Sequence, residues 1–189
     1  MTEQSPSQTV GPFFEYGLFF GGEDNLVNED TAGERIRIKG LVIDGEGAPV
    51  LDGLIEIWQA DANGIYPHPS DPQHANADPN FRGFGRSESV EDGIFSFKTI
   101  KPGAVPFDDN SMQAPHINVH VFARGMLLHA HTRLYFSDEA ANADDPVLNF
   151  VDADRRHTLI ARREDGSDLP TYRFDIVLQG DNETVFFNP

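Results

Sequence analysis

The chain has 189 residues, enough for one domain that buries roughly 70% of the surface its unfolded chain exposes. Its 31 acidic residues against 14 lysines and arginines give a formal net charge of −17. This excess excludes nucleic acid and anionic membranes as main partners, because phosphate contacts need lysine and arginine. An anionic small molecule would need a local arginine to offset the same repulsion.

The chain has no cysteine, which excludes disulfides, thiolate metal sites and cysteine nucleophiles. Its first residues, MTEQSPSQTV, lack the basic and apolar regions of a secretory signal, and no apolar run approaches the ~20 residues of a membrane span. We therefore expect a cytoplasmic protein.

An N-terminal arm, residues 1–20, precedes the predicted domain at 21–189. Within it, SQTVGPFFEY (7–16) places Phe13 and Phe14 beside a Gly-Pro pair. Two large aromatic side chains are costly to leave in water. They either cover the core of this domain or dock on a partner, and the residues alone leave both alternatives open.

The rest of the chain is dominated by runs rich in branched and aromatic residues, several of which alternate apolar with polar. Asp-Gly pairs at 44–45, 92–93 and 165–166 supply the positive-φ residues of tight reversals. This pattern predicts an all-β fold, an antiparallel β-sandwich with long connecting loops. A helical turn is expected at 138–144, and no long amphipathic helix. The predicted strands are 34–44, 53–60, 93–100, 117–123, 127–136, 157–162, 172–179 and 184–187.

Residues 61–93 form the longest predicted connection, crowded with proline, asparagine, aspartate and histidine. A connection of that length is usually functional or disordered. Its aromatic residues Tyr66, Phe81 and Phe84 favour an ordered loop that packs on the domain. We interpret its end, GRSESVEDG (85–93), as a polar loop rich in turns.

Histidines cluster on two predicted neighbouring strands. In APHINVHVF, residues 116, 118 and 120 project from one face, because strand side chains alternate. His129 and His131 follow on the next strand, so up to four imidazoles could converge on a metal. No aspartate or glutamate lies between 110 and 137 to complete such a site. The residues leave open a metal site and a set of structural histidines.

Three stretches together resemble the intradiol ring-cleavage dioxygenases. They are PSQTVGPFF (6–14), LIEIWQADANGIY (54–66) with DPNFRGFGR (78–86), and FKTIKPGAVPF (97–107) leading to APHINVHVFARG (114–125) and TRLYF (132–136). The resemblance implies a ferric ion held by two tyrosinates and two histidines, at N-G-x-Y, P-G-x-Y-P and H-x-H positions. It also implies that this ion activates a bound catecholate for attack by dioxygen.

Two of these four ligands are missing from the chain. NGIY keeps Tyr66 and HIN keeps His116, but KPGAVP has Val105 and HIN has Asn118 at the other two positions. Valine has no donor atom and an asparagine amide is a weak neutral ligand. His120 cannot substitute, because two residues along a strand displace a ligand by ~6.5 Å. We expect no metal ligand and no catalytic residue here.

The resemblance implies a homologous beta subunit that binds the Fe(III) within a hetero-oligomer. It also implies that Thr9, Gly11, Pro12 and Arg133 of this chain border the substrate in that partner's site. The implied reaction cleaves protocatechuate with O2 between its two hydroxyls. The arm is then better interpreted as a subunit contact than as a loose terminus.

Two other functions remain as alternatives. One is a non-catalytic β-sandwich module that binds a small ligand through its aromatic loop. The other is an independent metal enzyme using histidines 116, 120, 129 and 131. Among the serines we find no nucleophile elbow, and no phosphate-binding loop is present.

Overall fold

The computed structural model describes residues 11, 13–89, 92–164, 166 and 168–188, with the backbone alone at 13–15. Short helices are α1 (Phe13–Leu18) and α2 (Pro146–Phe150), and 3-10 turns lie at His74–Asn76, Ala140–Asp144 and Arg156–Leu159. The strands are β1 (Arg35–Ile43), β2 (Gly53–Trp58), β3 (Phe84–Ser89), β4 (Ile94–Ile100), β5 (Val105–Pro106), β6 (Met112–Gln113), β7 (His116–Phe122), β8 (Ala130–Phe136), β9 (Ile160–Glu164), β10 (Thr171–Arg173) and β11 (Ile176–Val177).

Nine strands of the described chain form one hydrogen-bonded path in the order β11-β1-β10-β9-β8-β7-β2-β3, with β4 paired to β1. β5 and β6 form a separate hairpin. The predicted all-β sandwich is confirmed. Three of its pairs, β1–β10, β1–β11 and β8–β9, run parallel, as long connections between strands allow.

The core lies between the layer that contains β4 and β1 and the layer that contains β2, β7 and β8. β1 buries every second residue, since one strand face meets the other layer. In the opposite layer β7 alternates in the same way from Ile117 to Phe122. Both layers contribute to one apolar cluster, which includes Ile36, Ile38, Phe95, Phe97, Ile55, Ile57, Ile117, Val119, Val121, Leu134 and Phe136.

Strand β3 was wrongly interpreted as part of a polar loop. It pairs with β2 from Gly53↔Ser89 to Trp58↔Phe84. Its serines are buried because hydrogen bonds satisfy them: the Ser89 hydroxyl donates to the Val50 carbonyl oxygen at 2.7 Å, and Ser87 Oγ accepts from the Ser96 amide at 3.1 Å. Because its buried residues include hydrogen-bonded serines, β3 lacks the alternation of apolar and polar residues by which a strand is predicted from sequence.

The strand predicted at 172–179 is split into β10 and β11. The Phe174 carbonyl approaches β1 so closely that a Cβ at Gly40 would overlap it. At the next residue, Asp175 Oδ1 accepts from the Leu41 amide at 3.0 Å, where a regular ladder would use a backbone oxygen. The strand is therefore interrupted by a local bulge, and the Asp175 carboxylate satisfies the Leu41 amide there.

Other boundaries also shift. Most of the first half of the strand predicted at 157–162 is a 3-10 turn, Arg156–Leu159, and β9 begins after it. In the strand predicted at 184–187, only Phe187 makes a β-bridge, to His131. The helical turn predicted at 138–144 is confirmed at Ala140–Asp144. Gly93 and Gly166 have positive φ as predicted, whereas at 44–48 the positive φ belongs to Gly47 and not to Gly45.

The arm is described in part. Residues 1–10 and 12 lie outside the described residues, as do the side chains of Phe13 and Phe14. The backbone from 13 to 18 forms α1, a helix that the sequence did not predict. The boundary between arm and domain stays a prediction. None of the described helices is long and apolar enough to span a bilayer.

Candidate functional site

Strand β7 places His116, Asn118 and His120 on the face opposite the core. The intervening Ile117, Val119 and Val121 are at most 2% exposed and belong to the core cluster. The predicted alternation is confirmed. We call this face of β7 and its neighbours β2 and β8 the outer face.

His116 begins β7 and is buried, with 3% of its surface exposed. Its Nδ1 lies 2.7 Å from the Ala114 carbonyl oxygen, which can only accept, so Nδ1 carries the proton and Nε2 carries the lone pair. Burial, assisted by the positive charge of Arg133, lowers the pKa of His116 to about 4. The ring is therefore a neutral, oriented single donor.

Buried Asp145 fixes the segment that leads into His116. Its Oδ2 accepts from the Ala114 amide at 2.7 Å, and its Oδ1 accepts from the Leu148 amide at 2.6 Å and from the Tyr135 hydroxyl at 3.1 Å. One carboxylate thus joins the start of α2, the strand β8 and the approach to β7.

Tyr66 is positioned by a loop built around Asp61, which is 1% exposed. Asp61 Oδ1 accepts from the Asn63 amide at 2.8 Å and from the Ile65 amide at 3.1 Å. Gly64 has a φ of +79°, and a Cβ there would overlap the Ala104 carbonyl. This close approach brings the loop of Tyr66 against the loop of Val105, so N-G-x-Y needs its glycine.

Tyr66 stacks on Trp58, with ring centroids 5.6 Å apart and planes inclined by 22°. The Asn118 amide donates to the Tyr66 hydroxyl and to the Trp58 carbonyl oxygen, both at 3.4 Å. Burial raises the pKa of Tyr66, although Arg133 and Asn118 act in the opposite direction. The phenol therefore keeps its proton near neutral pH.

Val105 stands in the wall of a pocket of about 400 Å³ beside Tyr66. The valine is 4% exposed and pairs with Gln113 across the β5–β6 hairpin. The other lining residues are Trp58, Gly64, Tyr66, His68, Ser70, Asp71, Pro72, Gln73, Pro106 and Gln113.

The implied ferric ion does not fit this set of side chains. Tyr66 and His116 offer one donor each, whereas Asn118 offers only a weakly binding neutral amide and Val105 offers no donor atom. Across the part of the chain that the structure describes, no three histidine or carboxylate side chains are grouped to hold a metal. We therefore derive no chemical step on a metal in this chain.

Arg133 lies on β8 directly opposite Asn118. Its guanidinium donates to Gln113 Oε1 at 2.7 Å, so the β5–β6 hairpin holds it in place. Its charge lowers the pKa of His116, Tyr66 and His131. Of the other residues expected at a partner's substrate site, Thr9 and Pro12 lie outside the described residues and Gly11 is half-buried. The expected role of all four stays a prediction.

Three of the four histidines do come together, away from His116. His120 stacks on His129 with centroids 5.0 Å apart and planes at 15°, and lies 4.7 Å from His131. Burial and the neighbouring histidines lower the pKa of His131 to about 4. We call His120, His129 and His131 the histidine cluster. His120 and His131 are tilted by 44° rather than stacked, and within the described residues the cluster is not grouped to hold a metal.

The sequence interpretation gave no role to Trp58, His68 and Gln113. Trp58 is the single tryptophan of the chain and directly precedes the Asp61 loop, a signal that could have found it. Gln113 and His68 carried no local signal, because they reach the pocket through the β5–β6 hairpin and the Asp61 loop.

Comparison with known proteins gives consistent matches. The family model described as Dioxygenase matches residues 21–180. The chain is 44% identical to a protocatechuate 3,4-dioxygenase alpha chain of Pseudomonas putida, over 98% of this chain and 96% of the relative. It is 37% identical to a protocatechuate 3,4-dioxygenase beta chain of Burkholderia cepacia, over 90% of this chain and 80% of the relative.

A solved structure agrees with these matches. The dioxygenase domain of a dioxygenase carbohydrate-binding protein fusion from Streptomyces sp. SirexAA-E superimposes with a TM-score of 0.63 at 25% identity. The superposition covers 97% of this chain and 100% of that domain. The chain belongs to the intradiol dioxygenase family.

Proposed function

We propose that this chain is the alpha subunit of a protocatechuate 3,4-dioxygenase and binds no iron of its own. The whole enzyme would open protocatechuate between its two hydroxyls with O2, giving 3-carboxy-cis,cis-muconate in the catabolism of aromatic compounds. The likeness over the full chain to a relative named as an alpha chain supports this proposal.

The observation that carries the proposal is the incomplete donor set in an otherwise intact family fold. Tyr66 and His116 remain at two of the ligand positions that the resemblance implies, while Val105 and Asn118 stand at the other two, and the Asn118 amide donates to the Tyr66 hydroxyl. A chain that cannot bind the metal acts in this reaction only with one that can. We propose that a homologous beta subunit supplies the Fe(III), and the likeness to a beta chain supports a shared fold in such a pair.

Within this assembly, Arg133 is the residue of this chain that we propose to act on substrate. Protocatechuate is an anion and the chain has a net charge of −17, so the substrate approaches against a repelling field. A guanidinium at the mouth of the partner's site would offset that field and could hydrogen-bond a carboxylate. Gln113 Oε1 at 2.7 Å orients the guanidinium without neutralising it. We propose that Thr9, Gly11 and Pro12 line the same mouth.

We also propose that residues 1–20 form a contact arm, with Phe13 and Phe14 as its apolar anchor. Buried aromatic side chains dominate the energies of many interfaces. Replacing both by alanine should weaken subunit association by about 2 to 4 kcal/mol, measured by mass photometry on dilution. Unchanged affinity would assign the arm to this chain's own fold.

The proposed function is tested by co-expressing this chain with a homologous beta chain in the cytoplasm of a bacterial host. The purified complex is analysed for chain ratio, iron per chain and consumption of protocatechuate with O2. We expect both chains in equal amounts, iron matching the beta chain alone, and turnover by the complex. The matched control is this chain expressed alone. A colourless, inactive control supports the proposal, whereas iron bound to it with a tyrosinate absorption band would overturn it.

A further inference from the structure

Positive charge is concentrated on one side of this acidic protein. Alternate residues of β1 point away from the core, and Arg37 and Lys39 are among them. Arg37 pairs with Lys98 of β4, Lys39 pairs with Arg173 of β10, and Arg173 pairs with Arg162 of β9. We call these five residues the basic face. They are five of the 14 lysines and arginines of the chain, and they lie across the core from the outer face.

The basic face places like charges next to each other. Arg37 is directly opposite Lys98, and Arg173 is directly opposite Arg162, each across a pair of antiparallel strands. Like charges in this arrangement destabilise a sheet, because the Cβ atoms of opposed residues are only about 5 Å apart. The folded chain therefore bears a cost for keeping these cations together.

Carboxylates of the same chain offset this cost only in part. Lys39 Nζ lies 2.8 Å from Glu164, and Arg173 Nε lies 3.0 Å from Asp175. The other three cations of the basic face have no ion pair in the part of the chain that the structure describes. Two of them are exposed and one is half-buried. Negative charge from another molecule would compensate them.

An exposed apolar patch borders the basic face. Leu41 follows on the same side of β1 and pairs with Ile94 of β4. Leu41 and Leu51 come together at Gly93, since a Cβ atom built there would lie 3.5 and 3.3 Å from their methyl groups. Ile94 is 37% exposed and Leu51 is 52% exposed. We call Leu41, Leu51 and Ile94 the apolar end. Apolar side chains beside charged ones are typical of protein–protein interfaces, whereas phosphate groups need the cations alone.

Charge complementarity indicates which protein surface fits. The chain has a net charge of −17 in spite of the basic face, so the rest of its surface is more negative still. A second copy of the chain therefore offers the acidic surface that the basic face lacks. At physiological ionic strength, charges more than ~8 Å apart are largely screened, so the charges in contact outweigh the repulsion between the two net charges.

We propose that the basic face binds the acidic surface of a second copy of this chain, with the apolar end as the anchor. The two surfaces differ, so the contact is heterologous and joins copies head to tail. In the proposed enzyme it links the alpha subunits of neighbouring alpha–beta units. This inference goes beyond the proposed function, because the contact needs neither iron nor substrate and leaves the outer face uncovered.

Sedimentation velocity of the full-length chain, alone and with the beta chain, measures the association. We expect species that contain two or more copies of this chain and that dissociate on dilution. Lys98→Glu should raise the Kd between copies by about tenfold, because it brings two carboxylates together at the contact. The same change gives Arg37 an opposite charge across the strands, so the free energy of unfolding should stay equal or rise. Weaker association at undiminished stability distinguishes a contact residue from a folding defect.

Arg124→Glu is the matched control, because it also reverses a charge, at an exposed residue between β7 and β8. Its Kd should stay within about twofold of the wild type, as for most exposed charges. The double variant Arg37→Glu with Lys98→Glu keeps a like-charge pair of the opposite sign and should weaken association further than Lys98→Glu alone. A Kd for folded Lys98→Glu equal to that of Arg124→Glu would overturn the proposal.

Carbodiimide cross-linking identifies the partner, because it joins lysines to carboxylates that are in contact. Labelled and unlabelled chains are mixed before the reaction, and the cross-linked peptides are analysed by mass spectrometry. We expect Lys39 and Lys98 to be joined to aspartates or glutamates of the other isotopic form. Cross-links to the beta chain alone, or a chain that stays monomeric at every concentration, would overturn the proposal. The same holds for binding of RNA or anionic vesicles that Lys98→Glu abolishes without a change in the association of copies.

Discussion

Histidines lie at both ends of the outer face of β7 and β8, but their contacts and burial differ between the two ends. At one end, His116 is buried and its Nδ1 proton is held by the Ala114 carbonyl oxygen at 2.7 Å. At the other, His120 and His129 stack on each other, and Phe122 stacks on His129 at 5.0 Å. Within the described structure, His131 Nδ1 is buried without a hydrogen-bond partner.

This difference shows that histidine spacing alone does not decide how the rings are arranged. A ligating histidine needs its second nitrogen fixed by a partner, which sets both tautomer and direction. His116 has this partner but lacks the neighbours that would complete a site. The histidine cluster has the neighbours, but in the described residues these rings are not grouped to hold a metal.

Completing the donor set should convert the His116 end into a metal site. In Val105→Tyr with Asn118→His, a phenol and an imidazole return to the positions that the family resemblance assigns to ligands. We expect ferric iron to rise from below stoichiometric to about one per chain, with a visible tyrosinate absorption band, because two anionic oxygens suit this hard ion. Iron is measured by mass spectrometry and the band by absorption.

The two single variants are the controls for this experiment, since three donors should hold the ion much less tightly. The folded double variant without iron would contradict the view that these two positions decide metal binding. Iron in the wild-type chain would contradict it more directly.

Arg133 lies between the two ends and acts on both through its charge. Arg133→Ala should lower kcat/KM of the assembled enzyme for protocatechuate by about 10 to 100 fold, mostly through KM, because a charge-assisted contact is worth about 1.5 to 3 kcal/mol. It should also raise the pKa of His116, since the repelling charge is removed. Steady-state kinetics and NMR titration measure the two effects.

Arg124→Ala is the matched control for Arg133, because it removes the same charge from an exposed pair with Asp52. Iron content and subunit ratio should stay constant in both variants. An unaltered kcat/KM in Arg133→Ala would exclude the substrate role, and lost assembly would make Arg133 structural.

The buried His116 should make the fold sensitive to acid. Its pKa is about 4 when folded and about 6.5 in the unfolded chain, so the unfolded state takes up the proton first as the pH falls. Its contribution is therefore fully present above about pH 6.5 and is lost as the pH falls toward 4. Between pH 7 and 5 the loss is about 2 kcal/mol.

Urea unfolding at the two pH values measures this loss against His116→Leu, which has no imidazole to titrate. The variant should lose about 2 kcal/mol less than the wild type over the same interval. Equal losses in both proteins would show that other groups cause the acid sensitivity.

His129 should contribute least, because its side chain is exposed at the edge of the histidine cluster. His129→Ala should change the free energy of unfolding by less than about 0.5 kcal/mol, as for most surface substitutions. It should raise the pKa of His120, which the charge of His129 lowers. NMR titration of His120 checks this direction, and an unchanged pKa would show that the two rings do not interact.

Local patterns predicted much of this protein. Alternation placed His116, Asn118 and His120 on one face of a strand, and the quoted motifs identified the family. These features depend on residues close in sequence, where backbone geometry alone fixes which side chains share a face. The strands β1 and β7 followed from the same kind of pattern, because β1 buries every second residue and β7 does so from Ile117 to Phe122.

Contacts between distant residues decided the rest. β3 is a strand because Ser87 and Ser89 find partners on other segments, and the pocket between Tyr66 and Val105 exists because Gly64 lets the Asp61 loop approach Ala104. The proton on His116 is fixed by a carbonyl, and the rings of the histidine cluster are set by packing. A sequence pattern records which residues are polar or apolar, but only the folded chain determines which polar atoms meet and how much water remains around them.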